Sequence, residues 1–228
     1  AGTTRDAIDT GLTYHGNEIT LIDTAGIRRR GKIIPGVEKY SVLRALKAID
    51  RAEIVMLLVD ATEPFTAQDA HIAGIVLEKS RSAIVVVNKW DVIPKDSYTM
   101  DTYRTMVRSA LQFLDYVPVI FLSALTGYRV NKTLPLALKV YAERHRRMNT
   151  AELNKVIRAA VGQQAPPSQR GKRLRIFYAT QVATGPPVIL LHVNDKTLVH
   201  FSYTRFLQNQ IRTQFEFTGT PLRLAFRE

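Results

Sequence analysis

Asn88-Lys89-Trp90-Asp91 follows Ala83-Ile84-Val85-Val86-Val87 in this chain. The five apolar residues, rich in β-branched types, predict a strand buried on both faces. A polar cluster at the carboxyl end of such a strand lies where open α/β sheets bind ligands. Asp91 can accept two hydrogen bonds from a base that offers a ring N–H beside an exocyclic amine, and guanine is that base. A buried carboxylate left unpaired is costly, so such a site can reject the wrong base by roughly 10⁴-fold. Asn88 can brace the base and neighbouring loops through its amide, and the Lys89 stem can lie over the base plane. The plainer reading is a strand-end turn with an ordinary Asn and Asp.

Two further clusters weigh against that reading. Asp23-Thr24-Ala25-Gly26 lies upstream and Ser123-Ala124-Leu125 downstream, each after its own apolar run. In a phosphate site the Asp23 carboxylate would hold Mg²⁺ and the Gly26 N–H would face a γ-phosphate. Gly26 to Ile33 matches most of the phosphate-cradling pattern G-x-x-x-x-G-K-[ST], but Ile33 lacks the hydroxyl a metal ion needs and three adjacent arginines do not make a tight backbone nest. No other stretch fits the pattern. The expectation is a phosphate loop that precedes Ala1.

The three clusters, in this order, resemble the nucleotide-binding segments of GTPases. The resemblance implies GTP and GDP as ligands. It places Asp23, Thr24, Ala25, Gly26 and Ile27 near the phosphates, and Asn88, Lys89, Trp90, Asp91, Ser123, Ala124 and Leu125 around the base. It gives Ala124 N–H to the guanine carbonyl oxygen and puts Asp23 on Mg²⁺ through water. In Gly2-Thr3-Thr4-Arg5-Asp6 it assigns Thr4, with Thr3 second, a hydroxyl on Mg²⁺ and a backbone N–H on the γ-phosphate; Thr4 and Gly26 are thus the catalytic candidates. Ile27 stands where signalling GTPases carry a water-orienting Gln. GTPases with an aliphatic residue there commonly use K⁺, and equal turnover in K⁺ and Na⁺ would remove that expectation. Arg28, Arg29, Arg30 and Lys32 make a basic cluster that reads equally as a solvated loop or as a contact to RNA or to another domain.

Alternating elements must carry these clusters. Leu12–Tyr14 and Glu18–Asp23 around His15-Gly16-Asn17 predict a hairpin. Helical spacing over Glu38–Asp50, a strand at Ile54–Val59 ending at Asp60, a helix over Thr66–Lys79 capped by Thr66, a helix over Asp101–Leu114, a strand at Pro118–Leu122 and a helix over Asn131–Met148 follow. Strand–helix alternation with short links predicts an α/β fold: a mainly parallel sheet with helices on both faces, of the P-loop-NTPase type without its phosphate loop.

The 228 residues carry 46% hydrophobic types, no cysteine and a net charge of +12. That excludes disulfides and thiolate metal sites, and no apolar run approaches the ~20 residues of a membrane-spanning helix. The absence of cysteine is compatible with a cytosolic protein. Residues 1–145 hold 19 Lys+Arg against 16 Asp+Glu, residues 146–228 13 against 4. The concentrated positive field favours a polyanion, above all RNA. Arg170, Lys172, Arg173 and Arg175 are candidates for that contact. The second segment predicts helix, two strands (Arg173–Ala183 and Val188–Val193), helix (Phe201–Phe215) and strand (Pro221–Phe226).

That α-β-β-α-β order resembles a KH domain, yet no two glycines lie three apart, so the Gly-x-x-Gly clamp of RNA-binding KH domains is missing. The KH-like domain of EngA (Der) GTPases lacks that clamp too. Lys172-Arg173-Leu174, Tyr178-Ala179-Thr180-Gln181-Val182, Val193-Asn194-Asp195, His200-Phe201-Ser202-Tyr203 and Gly219-Thr220-Pro221 resemble that family closely. The resemblance implies a GTPase domain over 1–145, the second of its family, and a KH-like domain over 146–228. It further implies a GTP-hydrolysing factor in assembly of the large ribosomal subunit, partnered by ribosomal RNA and by a first GTPase domain of the same protein. The alternative is a nucleotide-poor piece acting as an RNA- or protein-docking module.

Overall fold

In a computed structural model the described residues are 9–22, 45–63, 65–166, 168–169 and 171–228. They divide into two compact units: those up to Asp115 with Val119–Leu138, and Tyr116–Pro118 with Lys139–Glu228.

The first unit opens on a hairpin of β1 (Asp9–Tyr14) and β2 (Asn17–Ile22). His15 and Gly16 both have positive φ, 48° and 76°, the two-residue turn whose twist suits antiparallel strands. Residues 45–51 are helical (α1). β3 (Ile54–Asp60), β4 (Ser82–Asn88) and β5 (Val119–Phe121) form a parallel sheet in the order β3-β4-β5. Every residue of β4 from Ser82 to Val87 is buried, as a central strand covered on both faces must be. α2 (Ala67–Glu78) crosses from β3 to β4 behind a capping box. Thr66 Oγ1 accepts from Asp69 N–H at 3.2 Å, and Asp69 Oδ2 accepts from Thr66 N–H at 2.8 Å. α3 (Thr99–Ala110) leads back to β5.

Several helix boundaries differ from the sequence reading. α3 starts at Thr99 because Asp96 accepts from the Tyr98 and Thr99 amides, which organises the turn ahead of it. It stops at Ala110, and a separate 3-10 turn covers Gln112–Leu114. The helix expected over 131–148 is a 3-10 turn at Val130–Lys132 followed by α4 (Thr133–His145). Pro135 sits in the first turn of α4, where its missing N–H costs no helical bond. The far end is set by Gln181, whose amide donates to Arg146 O at 2.9 Å and accepts from Met148 N–H at 2.8 Å. Those backbone groups cannot then serve the helix.

In the second unit α5 (Thr150–Gln163) starts at Asn149, whose Oδ1 takes the Ala151 and Glu152 amides. A short hairpin of β6 (Ser168–Gln169) and β7 (Lys172–Arg173), absent from the expected order, precedes the main sheet. It turns at Gly171, whose φ is +76°. Consequently β8 runs only over Ile176–Ala183, shorter at its start than predicted. β9 (Val188–Val193) pairs antiparallel with β8 and parallel with β10 (Arg223–Arg227), after α6 (Phe201–Phe215). The core is Leu153, Ile157 and Ala160 of α5, Tyr203, Leu207, Ile211 and Phe215 of α6, and Ala179, Ile189, Leu191 and Val193 of the sheet.

Candidate functional site

The parallel register brings three strand ends together. Asp60 pairs with Asn88 across β3 and β4, and Ala61 N–H donates to Asn88 O at 2.9 Å. Leu122 N–H donates to Val87 O at 3.0 Å, and Trp90 N–H to Leu122 O at 3.1 Å. The segments after β4 and β5 are thus stitched by backbone before any side chain acts. Asn88 Oδ1 then accepts from Ala124 N–H at 2.9 Å. That amide, assigned by resemblance to a guanine carbonyl, is bonded inside the protein here. A base carbonyl would share it or displace the Asn88 oxygen.

The four residues of the first cluster separate by exposure. Lys89 has φ +62°, a left-handed conformation that costs an L side chain roughly 1–2 kcal/mol and turns the chain sharply out of β4. Asp91 is exposed, next to a turn in which Val92 N–H donates to Lys89 O at 3.1 Å. Trp90 points the other way: it is 2% exposed, edge-on to Tyr103 at 5.1 Å and tilted on Phe121 at 4.6 Å. Its side chain belongs to the core and supports the loop. In the second loop Ser123 is fully buried, with its Oγ accepting from Thr126 N–H at 3.1 Å, while Ala124 is exposed and Leu125 is 88% exposed. A buried hydroxyl anchors a loop whose tip is open to solvent.

The sequence reading placed Asp60 at the end of a strand and gave it no part in the site. Its carboxylate lies 2.5 Å from Lys89 Nζ and accepts from Thr62 N–H and Oγ1 at 2.9 and 2.7 Å. The ammonium is thereby held against the end of β3. Burial raises the Asp60 pKa, but the hydrogen bonds from Lys89 and Thr62 outweigh it and hold the carboxyl below its usual range. The same bond to Asp60 raises the Lys89 pKa. A depressed carboxyl contributes stability above its unfolded pKa and loses it as pH falls through the folded value; a raised ammonium contributes below its unfolded pKa and loses it as pH rises through the folded one. The pair therefore favours folding between the acid and alkaline limits. Trp90 is the chain's one tryptophan, so its fluorescence in urea titrations reports the first unit. Asp60→Asn is expected to lower that unit's stability at pH 7, and the gap to the wild type should close as pH falls below about 4. A gap independent of pH would show that the ion pair contributes nothing.

Thr4, Asp23, Thr24, Ala25, Gly26, Ile27, Arg28, Arg29, Arg30, Lys32 and Arg170 lie outside the described residues. Lys172, Arg173 and Arg175 are exposed, at β7 and the approach to β8.

The comparisons with known proteins bear on both units. Residues 1–89 match a family model described as a 50S ribosome-binding GTPase. Residues 147–227 match the model for the KH-domain-like region of EngA bacterial GTPase enzymes, C-terminal. The GTPase Der of Chloroflexus aggregans is 55% identical over 227 residues, 99% of this chain and 51% of that protein. This chain belongs to the EngA (Der) GTPase family. The GTPase Der of Agathobacter rectalis is 48% identical over 228 residues, 100% of this chain and 52% of that protein. The chain thus spans about half the length of the curated Der relatives it matches. A crystal structure of Era with MgGDPNP and nucleotides 1506–1542 of 16S ribosomal RNA has the same fold. Its TM-score is 0.54 at 18% identity, covering 99% of this chain and 81% of that one.

Proposed function

We propose that this chain reads a guanine base at the carboxyl ends of β4 and β5, as the base-recognition half of a GTP-hydrolysing site. The observation that carries this reading is the Asn88–Ala124 bond, which ties the two base-facing loops together with the Asp91 carboxylate left exposed beside them. In the full-length gene product the reaction is in-line attack of water on the γ-phosphate of GTP. Thr4 and Asp23 are proposed to hold Mg²⁺, and Gly26 N–H to face the γ-phosphate, with K⁺ the proposed monovalent ion.

The base reading is testable without phosphates. Amide chemical shifts of this chain near residues 88–91 and 123–125 are expected to respond most to guanosine. Inosine lacks the exocyclic amine and should act more weakly, and adenosine least. Equal responses to guanosine and adenosine would end the proposal.

The KH-like unit is proposed to dock the protein on ribosomal RNA of the large subunit, in the bacterial cytoplasm, with nucleotide state and a further GTPase domain of the same protein controlling access. Its surplus of 13 Lys+Arg over 4 Asp+Glu in residues 146–228 supports this. RNA affinity of the chain is expected to fall steeply as salt rises from 50 to 200 mM, roughly 10³-fold or more if six phosphates are contacted. A flat response would favour a protein partner.

A further inference from the structure

The sheet of the KH-like unit has one covered face and one open face. Ala179, Ile189, Leu191 and Val193 point into the core under α5 and α6, each no more than 2% exposed. The pleat sends their neighbours outward. Register places Tyr178 of β8 opposite His192 of β9, and Arg227 of β10 opposite His192 on its other side. These three residues make one cross-strand row on the open face.

The row is already organised as a stack. The Tyr178 and His192 rings lie 4.1 Å apart at 11°, and Tyr178 is 49% exposed. The register shifts between Ile176 and Tyr178, and Phe177 in that bulge is 64% exposed. Exposed parallel rings are a surface to which a further flat ring can add.

Charge on the strands has one sign. β8, β9 and β10 contain no Asp or Glu, while Arg223 and Arg227 lie on β10. Further cations are fixed at the same end of the sheet. Asn194, two residues after His192, accepts from Arg175 N–H at 2.7 Å and donates to Arg173 O at 3.1 Å. That amide pins the basic segment entering β8 to the end of β9. The nearby acidic side chains are Asp195, whose carboxylate accepts from Thr197 N–H and Oγ1 at 2.9 and 2.5 Å, and Glu228, which follows Arg227 and accepts from Lys196 N–H at 3.2 Å.

We propose that this open face is a platform for single-stranded RNA, where an unpaired base stacks on the Tyr178–His192 pair and flanking phosphates meet Arg175 and Arg227. The inference rests on the RNA-docking reading above and deepens it. Phosphate contact alone would not distinguish strands from duplexes, whereas an aromatic platform requires a base with a free face. A duplex keeps its base faces against each other. Stacking tolerates any base, so the missing Gly-x-x-Gly clamp is no obstacle to this mode of binding.

Fluorescence anisotropy of the 228-residue chain with labelled octauridylate, octaadenylate and an RNA hairpin of equal phosphate number tests it. Both single strands are expected to bind more tightly than the hairpin. Tyr178→Leu should weaken the single strands by about tenfold, while Tyr178→Phe stays near wild type. Arg227→Gln should reduce the salt slope by about 0.7. Photocrosslinking of 5-iodouridine RNA is expected to mark the peptides holding Tyr178 or His192. Wild-type affinity in Tyr178→Leu, with an unchanged melting curve, would overturn the platform and leave RNA docking standing; so would hairpin binding as tight as that of the strands. Binding of neither RNA would bring down the docking reading and the platform together.

Discussion

Substituting Asp91 by Asn is expected to weaken GDP binding to this site in the full-length gene product by about 10²–10⁴-fold, since two hydrogen bonds to a charged acceptor are worth roughly 1.5–3 kcal/mol each. The loss has a direction as well as a size. Guanine presents two donors, its ring N–H and its amine, and a carboxylate accepts both. An Asn presents one acceptor and one donor, so its NH₂ group meets the guanine amine head-on. Xanthine carries a carbonyl oxygen in place of that amine and matches Asn instead. The variant should therefore gain affinity for XDP as it loses affinity for GDP. Calorimetric titration with both nucleotides reads this. A second GTPase domain would contribute its own unchanged GDP binding, so one component of a two-component isotherm is expected to weaken. GDP affinity within twofold of wild type for every component would remove Asp91 from base recognition. Its exposure beside the stitched ends of β4 and β5 makes the contrary expectation.

Trp90→Ala is expected to destabilise the first unit by about 3–5 kcal/mol, the usual cost of emptying a site filled by a large aromatic ring. Trp90 is 2% exposed and touches Tyr103 and Phe121, so little around it can collapse into the space. Tyr103 in turn donates its hydroxyl to Ala61 O at 2.9 Å, which links the cavity to the end of β3. Urea unfolding followed by circular dichroism should show an earlier transition for this unit and an unmoved one for the KH-like unit. Trp90→Phe keeps most of the volume and should cost much less. If Trp90→Ala shifts stability by under about 1 kcal/mol, the tryptophan is not the support of the Asn88–Asp91 turn. The guanosine response of Trp90→Phe should persist, since the ring faces the core and not the ligand.

The two substitutions separate an exposed Asp91 from a buried Trp90 within one tetrapeptide. The sequence reading grouped all four residues around the base. The alternation that decides which side chain goes in depends on the chain leaving β4 through the left-handed Lys89, and no local pattern announces that turn.

Elements with strong local signals were legible. The run Ala83–Val87 gave β4 and Thr66 gave the start of α2, because strand burial and helix caps are written in adjacent residues. The order of clusters along the chain sufficed for the resemblance to a GTPase followed by a KH-like domain. Long-range partners were not legible. Gln181 ends α4 from 33 positions away, by taking the Met148 amide. Asp60 meets Lys89 only because β3 and β4 are in parallel register. Tyr178, His192 and Arg227 form a row only once β9 lies between β8 and β10. Sequence alone thus determined which residue types could read a base or attract RNA, since that is chemistry a side chain carries with it. Tertiary structure decided which of them share a surface. That depends on strand order and register, fixed by burial summed over the whole core and not by any one segment.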